Sequence, residues 1–187
     1  MIICMHLRIY DPRVLAIDLR NRRSGFAIFE GPRNLLDFGT TVLPSDQAEP
    51  AMARFVDLLR MSVPSIIVVK KDRWENMASS SGARHFVDML TNESIKREIQ
   101  IRVLEQDAIT ATFLNLDCST KVEISTALAR VFPELVWQLP PERKAWESEH
   151  PRQTVFDAIA LGLAYWQHET NNVLDSQDKA EDRAESV

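Results

Sequence analysis

The first quarter of the chain alternates short apolar runs with turn residues, and this pattern predicts three β-strands. The runs lie at residues 13–19, 24–30 and 35–42, and the short links between them favour an antiparallel meander. A helical stripe of apolar residues follows at 46–61. The β-branched run at 66–69 is typical of a strand that is buried on both faces.

The rest of the chain alternates helical segments with one further strand. Residues 79–97 predict a helix, and residues 99–105 alternate apolar and polar side chains as a strand does. A helix is predicted from 119–120, where Ser or Thr serves as N-cap, to Val131. The last helix is predicted from Pro151 to about His168, and its apolar circumference predicts burial.

This order of elements predicts an α/β fold. Three antiparallel strands followed by two parallel ones give a mixed five-stranded sheet with helices on both faces. With 187 residues, of which 45% are hydrophobic, the chain suits one domain, which we place at residues 13–170. Residues 1–12 are predicted to be an N-terminal extension. Residues 171–187 are predicted to be a disordered acidic tail, because 175–187 contain five acids, two bases and few apolar side chains.

Charge and cysteine content limit the function classes. The net charge is −5, and the tail supplies much of it, so contact with a nucleic acid would depend on local basic patches. Cys4 and Cys118 are far apart and have no metal-ligand spacing, which favours two reduced thiols. The sequence has neither an apolar stretch of bilayer length nor a signal-peptide pattern, so we expect a cytoplasmic protein without membrane contact.

Three carboxylates lie in apolar surroundings. Asp18 ends the first strand, Glu105 ends the last strand, and Asp157 is the one ionised group in the apolar part of the final helix. A buried acid is costly unless it is paired or binds a cation. Converging carboxylates are what Mg²⁺ or Mn²⁺ require for phosphodiester hydrolysis. Glu149, which precedes Asp157 by eight residues, falls on roughly the same helix face.

Basic residues follow two of the predicted strands and are candidates for phosphate contacts. They are Arg20, Arg22 and Arg23 in the first turn and Lys70 and Lys71 after the fourth strand. Surface arginines in a turn and lysines at the end of a strand are also common without any such role.

The ordered set of motifs resembles the ribonuclease H-like superfamily. Residues 14–18 followed by 23–27 look like its first two strands, and residues 156–161 resemble the Asp-Ala-x-Ala pattern on the last helix of RuvC Holliday junction resolvases. YqgF-type proteins are similar too. The resemblance implies an Mg²⁺- or Mn²⁺-dependent endonuclease that acts on structured or branched DNA, or on RNA, and a homodimer as in RuvC.

The sequence departs from the RuvC pattern at two of four acids. Lys70 and Lys71 stand where RuvC has a glutamate after its fourth strand, and Thr154 stands where it has a second aspartate. YqgF-type proteins place an acid after the fifth strand, where this chain has Glu105. The resemblance therefore implies Asp18, Glu105 and Asp157 as catalytic residues and metal ligands.

Three functions follow as alternatives. The first is the metal-dependent nuclease. The second is a catalytically degenerate domain that binds nucleic acid or a protein partner, in which a lysine such as Lys70 neutralises the carboxylates as a metal would. The third is an actin-like ATPase or kinase, which is disfavoured because no glycine follows Asp18 before Gly25.

Overall fold

The computed structural model describes residues 11–20, 23–42, 48–79, 84–141, 146 and 148–185. Cys4, Arg22 and most of the predicted N-terminal extension lie outside these residues. Cys118 is a half-buried free thiol. Within the described residues, none of the helices combines the length and the hydrophobicity that a bilayer span requires.

The sheet has the five predicted strands in the order β3-β2-β1-β4-β5. β1 pairs antiparallel with β2, as β2 does with β3, whereas β4 pairs parallel with β1 and with β5. The mixed sheet predicted from the sequence is therefore confirmed. The strands are β1 (Arg13–Asp18), β2 (Arg23–Glu30), β3 (Leu35–Val42), β4 (Ile66–Lys70) and β5 (Gln100–Leu104).

Helices cover both faces of the sheet, also as predicted. One core joins the sheet to α1, α2 and α3, and a second core joins its other face to α4, α5, α6 and a 3₁₀ helix. The described helices are α1 (Ala48–Ser62), α2 (Lys71–Ser79), α3 (Arg84–Lys96), α4 (Gln106–Leu114), α5 (Lys121–Val131), the 3₁₀ helix (Pro133–Gln138) and α6 (Gln153–Glu185).

The helices differ from the prediction in three places. α2 and α4 were not predicted, because each has only nine residues and too few turns to show a helical period. Of the helix predicted at 79–97, Ser79 is the last residue of α2 and 84–96 form α3, while 80–83 lie outside the described residues. α6 continues past the predicted end near His168 to Glu185 and so includes residues 171–185 of the predicted tail. Extending a helix that has already formed costs little through residues such as Gln, Glu, Lys, Ala and Arg.

The alternation of β1 decides which way Asp18 points. Val14 and Ala16 belong to the core under α6, whereas Leu15 and Ile17 belong to the core under α1–α3. Because successive strand residues face opposite sides, Asp18 lies on the α6 side of the sheet. The acid is thereby directed toward the helix that contains the second predicted acid, Asp157.

Close backbone contact brings α6 next to the end of β1. Gly25 is the partner of Asp18 in the β1–β2 ladder, and a Cβ on Gly25 would collide with the backbone carbonyl of Thr154 in the first turn of α6. The hydroxyl of Thr154 donates to the carbonyl of Pro151 at 2.6 Å, which helps to fix this turn. The absent side chain of Gly25 therefore sets the distance between sheet and helix at the site.

We expect Gly25→Ala to lower the free energy of unfolding by about 3 kcal/mol, because backbone atoms cannot move aside as a side chain can. Gly39→Ala is the matched control, since a Cβ there would meet the ring edge of Phe26 and the ring can turn. Urea unfolding measures both variants. Equal losses would contradict the role given to Gly25.

Candidate functional site

The site is built around Asp18, the last residue of β1. Asp18 is only 1% exposed. Burial raises the pKa of its carboxyl group above the usual range, although the charge of Arg20 acts in the opposite direction. The nearby charge of Asp157 also raises this pKa. Asp18 is thus a buried acid that needs a cationic partner, as its sequence position suggested.

Arg20 supplies that partner and bonds to three carboxylates at once. Its Nε donates to Asp18 Oδ2 at 2.7 Å, its Nη1 donates to Glu149 Oε2 at 2.6 Å, and its Nη2 donates to Asp157 Oδ2. The side chain is 24% exposed. A guanidinium can serve three acceptors because its five N–H donors lie in one rigid plane. We call Asp18, Arg20, Glu149, Asp157 and Lys121 the acidic centre.

Lys121 completes the acidic centre from the start of α5. Its Nζ donates to Glu149 Oε1, and it donates to Asp157 Oδ2 at 3.2 Å. Thr120 positions this lysine because it caps α5 with a reciprocal capping box to Glu123, which confirms the predicted N-cap. Three carboxylates against two cations leave the centre with one formal negative charge.

A buried amide holds Asp157 from its other side. Gln153 Nε2 donates to Asp157 Oδ1 at 3.0 Å, and the same amide exchanges hydrogen bonds with the hydroxyl of Ser125 at 3.3–3.4 Å. Gln153 and Ser125 are both buried. Both oxygens of Asp157 therefore accept hydrogen bonds from other side chains.

The network shifts the pKa of Arg20 and Glu149 toward their charged forms. Burial acts to lower the pKa of Arg20, but the charge of Asp18 and the hydrogen bond to Glu149 outweigh it and raise the pKa. Burial acts to raise the pKa of Glu149, but the hydrogen bonds from Lys121 and Arg20 outweigh it and lower the pKa to about 2. The acidic centre is thus fully ionised at Arg20 and Glu149 at neutral pH.

The structure does not bring Glu105 to the acidic centre. Glu105 forms an exposed ion pair with Lys71 at 2.6 Å, and the hydrogen bond from Lys71 lowers its pKa. The side chain of Glu105 is 63% exposed, whereas those of Asp18 and Asp157 are 2% and 15% exposed. Lys71 at the start of α2 thus holds Glu105 on the surface, and the role of Glu105 as the third catalytic acid stays a prediction.

The predicted basic residues are divided between the centre and its surroundings. Arg20 points inward onto the carboxylates, and its predicted contact with nucleic acid stays a prediction. Lys70 ends β4 beside β1 and is near enough for its charge to act on Asp18, but Arg20 and Lys121, not Lys70, bond to the acids. Arg23 is half-buried at the start of β2. For Arg23, Lys70 and Lys71 the predicted phosphate contacts stay predictions.

The acidic centre does not fit a divalent ion as it is arranged. Mg²⁺ and Mn²⁺ need carboxylate oxygens as ligands. Here one oxygen of each of Asp18, Glu149 and Asp157 already accepts a hydrogen bond from Arg20. In the part of the chain that the structure describes, no three acidic, histidine or cysteine side chains are grouped so as to hold one metal ion.

Comparison with solved structures assigns the fold. A structure of RuvC from Thermus thermophilus superposes with a TM-score of 0.58 over 85% of this chain and 96% of RuvC, at 13% identity. The same protein in complex with Holliday junction substrate superposes with a TM-score of 0.56 over 82% of this chain and 91% of RuvC, also at 13% identity. The chain has the fold of RuvC.

The predicted resemblance to RuvC and the ribonuclease H-like fold is therefore confirmed at the level of the fold.

A fowlpox virus resolvase in complex with Holliday junction DNA has a TM-score of 0.45, at 13% identity, over 83% of this chain and 97% of the resolvase. No protein-family model matches the sequence, and no curated protein matches it. The likeness to RuvC thus lies in the fold.

We expect Arg20→Ala to lower the free energy of unfolding by about 3 kcal/mol, because it leaves three carboxylates facing one another with a single remaining cation. Lys71→Ala is the control: it breaks an exposed pair with Glu105, which contributes little to stability because water screens it, so the loss should be much smaller. Urea unfolding at neutral pH measures both variants. Similar losses would show that the acidic centre is no more important for stability than a surface ion pair.

The lowered pKa of Glu149 predicts a pH dependence. Its ordinary value is 4.5, and in the folded chain it falls to about 2, so the unfolded state takes up the proton first as the pH falls. Wild type should therefore lose stability relative to Glu149→Gln between about pH 4.5 and about pH 2.

Urea unfolding of both proteins at several pH values checks this expectation. Asp18 contributes with the opposite sign, because its pKa is raised and the folded state takes up its proton first. Comparing wild type with Glu149→Gln cancels the part of the Asp18 contribution that the two proteins share. A difference that stays constant from about pH 5 to about pH 3 would contradict the assignment.

Proposed function

We propose that this chain is a ribonuclease H-like domain that binds structured nucleic acid without cleaving it. The observation that carries the proposal is the single guanidinium of Arg20, which donates to Asp18, Glu149 and Asp157 together. With Lys121, it supplies the positive charge that divalent ions supply in a two-metal nuclease. On this proposal the chain has the fold of such a nuclease but not its metal-dependent hydrolysis, which needs free carboxylate oxygens as metal ligands.

The energetic cost of displacing Arg20 supports an acidic centre that does not take up a metal ion. A metal would have to displace a guanidinium whose ion pairs are largely shielded from water, and breaking such a pair costs several kcal/mol. Mg²⁺ must also give up part of its own hydration shell, which it does reluctantly. The raised pKa of Arg20 means that its guanidinium stays charged at any physiological pH. It therefore stays able to pair with the three carboxylates.

Cations at the same end of the sheet support binding of a polyanion. Lys70 ends β4, Lys71 opens α2, and Arg23 opens β2, so all three lie where β1 ends. RuvC, which shares the fold, has been solved with Holliday junction substrate. Because the chain carries a net charge of −5, this local group of cations and not the overall charge would attract phosphate.

A second candidate function is the Mg²⁺- or Mn²⁺-dependent nuclease with Asp18, Glu105 and Asp157 as ligands. The convergence of two of these acids, Asp18 and Asp157, on one guanidinium favours it, because removal of that guanidinium would leave both carboxylates without their cationic partner. It requires Arg20 to swing out and Glu105 to leave Lys71. The homodimer implied by the resemblance stays a prediction under either function.

The proposal is tested by measuring binding and cleavage of Holliday junctions, linear duplex DNA and structured RNA on the same samples. We expect binding without cleavage in Mg²⁺ or Mn²⁺, and Lys70→Gln with Lys71→Gln should reduce the slope of log affinity against log salt by about 2. The matched control is Lys96→Gln with Arg97→Gln, which removes two cations paired with Glu93 near the start of β5, at the opposite end of the sheet. It should leave the slope unchanged.

Metal binding distinguishes the two functions. Calorimetry should detect no Mn²⁺ binding to wild type, whereas Mn²⁺ should raise the melting temperature of Arg20→Ala by occupying the freed carboxylates. Metal-dependent cleavage by wild type that is lost in Asp18→Asn would overturn the proposal and establish the nuclease. Failure to bind any of the three nucleic acids would remove the binding function itself.

A further inference from the structure

A cavity of about 440 Å³ lies directly beside the acidic centre. It is enclosed by the first turns of α5, the segment at 139–141 and the start of α6, and we call it the α5 cavity. Lys121, Glu149 and Gln153 line the cavity as well as taking part in the network just described. Its volume falls in the range of ligand sites in proteins.

The walls of the α5 cavity are largely apolar. Val122 and Leu139 contribute aliphatic side chains, and the rings of Pro140 and Pro141 contribute rigid surfaces. Val122 is 67% exposed, so apolar surface is in contact with water at this position. A planar ring that covered these side chains would remove that surface from water, which is favourable.

Polar groups on the cavity wall can read the edge of such a ring. His150 Nδ1 accepts a hydrogen bond from the amide of Arg152, so the neutral imidazole carries its proton on Nε2 and can donate. The hydroxyl of Thr126 donates to the carbonyl of Val122, which leaves its oxygen able to accept. A donor and an acceptor in the lining of a largely apolar cavity suit a heteroaromatic base, whose edge carries both kinds of group.

We infer that the α5 cavity binds one unstacked nucleobase of a nucleic acid whose backbone lies along the cationic end of the sheet. This inference rests on the proposed function. Bulges, loops and junctions offer unpaired bases, and proteins commonly read them in apolar pockets with hydrogen bonds to the base edge. Lys121 belongs to the acidic centre, lines the cavity and is half-exposed, so its ammonium, which pairs with Glu149 and Asp157, is the nearest cation for the phosphate of that nucleotide.

The test uses duplex DNA with a single bulged 2-aminopurine and, separately, free 2-aminopurine nucleoside monophosphate. Val122→Trp should fill the cavity with its indole, and its position on the surface of α5 should leave folding intact. Val131→Trp is the matched control, because Val131 lies on the same helix, is 59% exposed and does not line the cavity. Unfolding curves establish that both variants are folded.

We expect 2-aminopurine fluorescence to change when the bulged duplex binds wild type or Val131→Trp. With Val122→Trp this change should be lost and the affinity should fall about tenfold, while affinity for a fully paired duplex stays the same. Equal affinity and fluorescence for Val122→Trp and Val131→Trp would overturn the inference.

The two probes separate this inference from the function on which it rests. Binding of the free nucleotide that depends on Val122, without binding of any duplex, would retain the cavity site and remove the nucleic-acid function. Duplex binding that is insensitive to Val122→Trp would retain the function and remove the site. Absence of binding to both probes would remove both.

Discussion

The rest of the site depends on one constraint: three carboxylates face one another where the central strand β1 ends, shielded from much of the solvent. Asp18 is placed there by β1, Asp157 by α6 and Glu149 by the segment that precedes α6. Carboxylates that bond to the same guanidinium are close enough to repel one another, and the repulsion is strong where little water can screen it. Arg20 removes the repulsion through three bonds from one planar group, and so joins the first strand to the last helix.

The β-sheet was predictable because its signals are local. The apolar runs that form β1, β2 and β4 are bounded by turn residues, and their lengths and spacing are sufficient to give the antiparallel and parallel parts. The N-cap at Thr120 was predictable for the same reason, since the capping box is contained within four residues. Asp18 and Asp157 also stood out, because each is an acid within an apolar run.

The partners of these acids were harder to predict, because they are decided by tertiary packing. Lys121 and Glu149 meet only when α5 and α6 pack together, and no periodicity in either segment indicates that contact. Glu105 resembles Asp18 in its position at the end of a strand, yet Lys71 binds it on the surface. Arg20 did leave a signal: it follows Asp18 by two residues, the spacing that places two side chains on one face of an extended chain.

The contact between Gly25 and Thr154 joins residues near the two ends of the domain. One face of β1 and β2 is covered mainly by α6, the last helix in the chain. During synthesis these strands emerge early, but that face has no cover until α6 has left the ribosome. Long-range closure of this kind slows folding and leaves apolar strand surface exposed to other chains in the meantime. A nascent chain of this protein is therefore at greatest risk of aggregation just before its final helix is made.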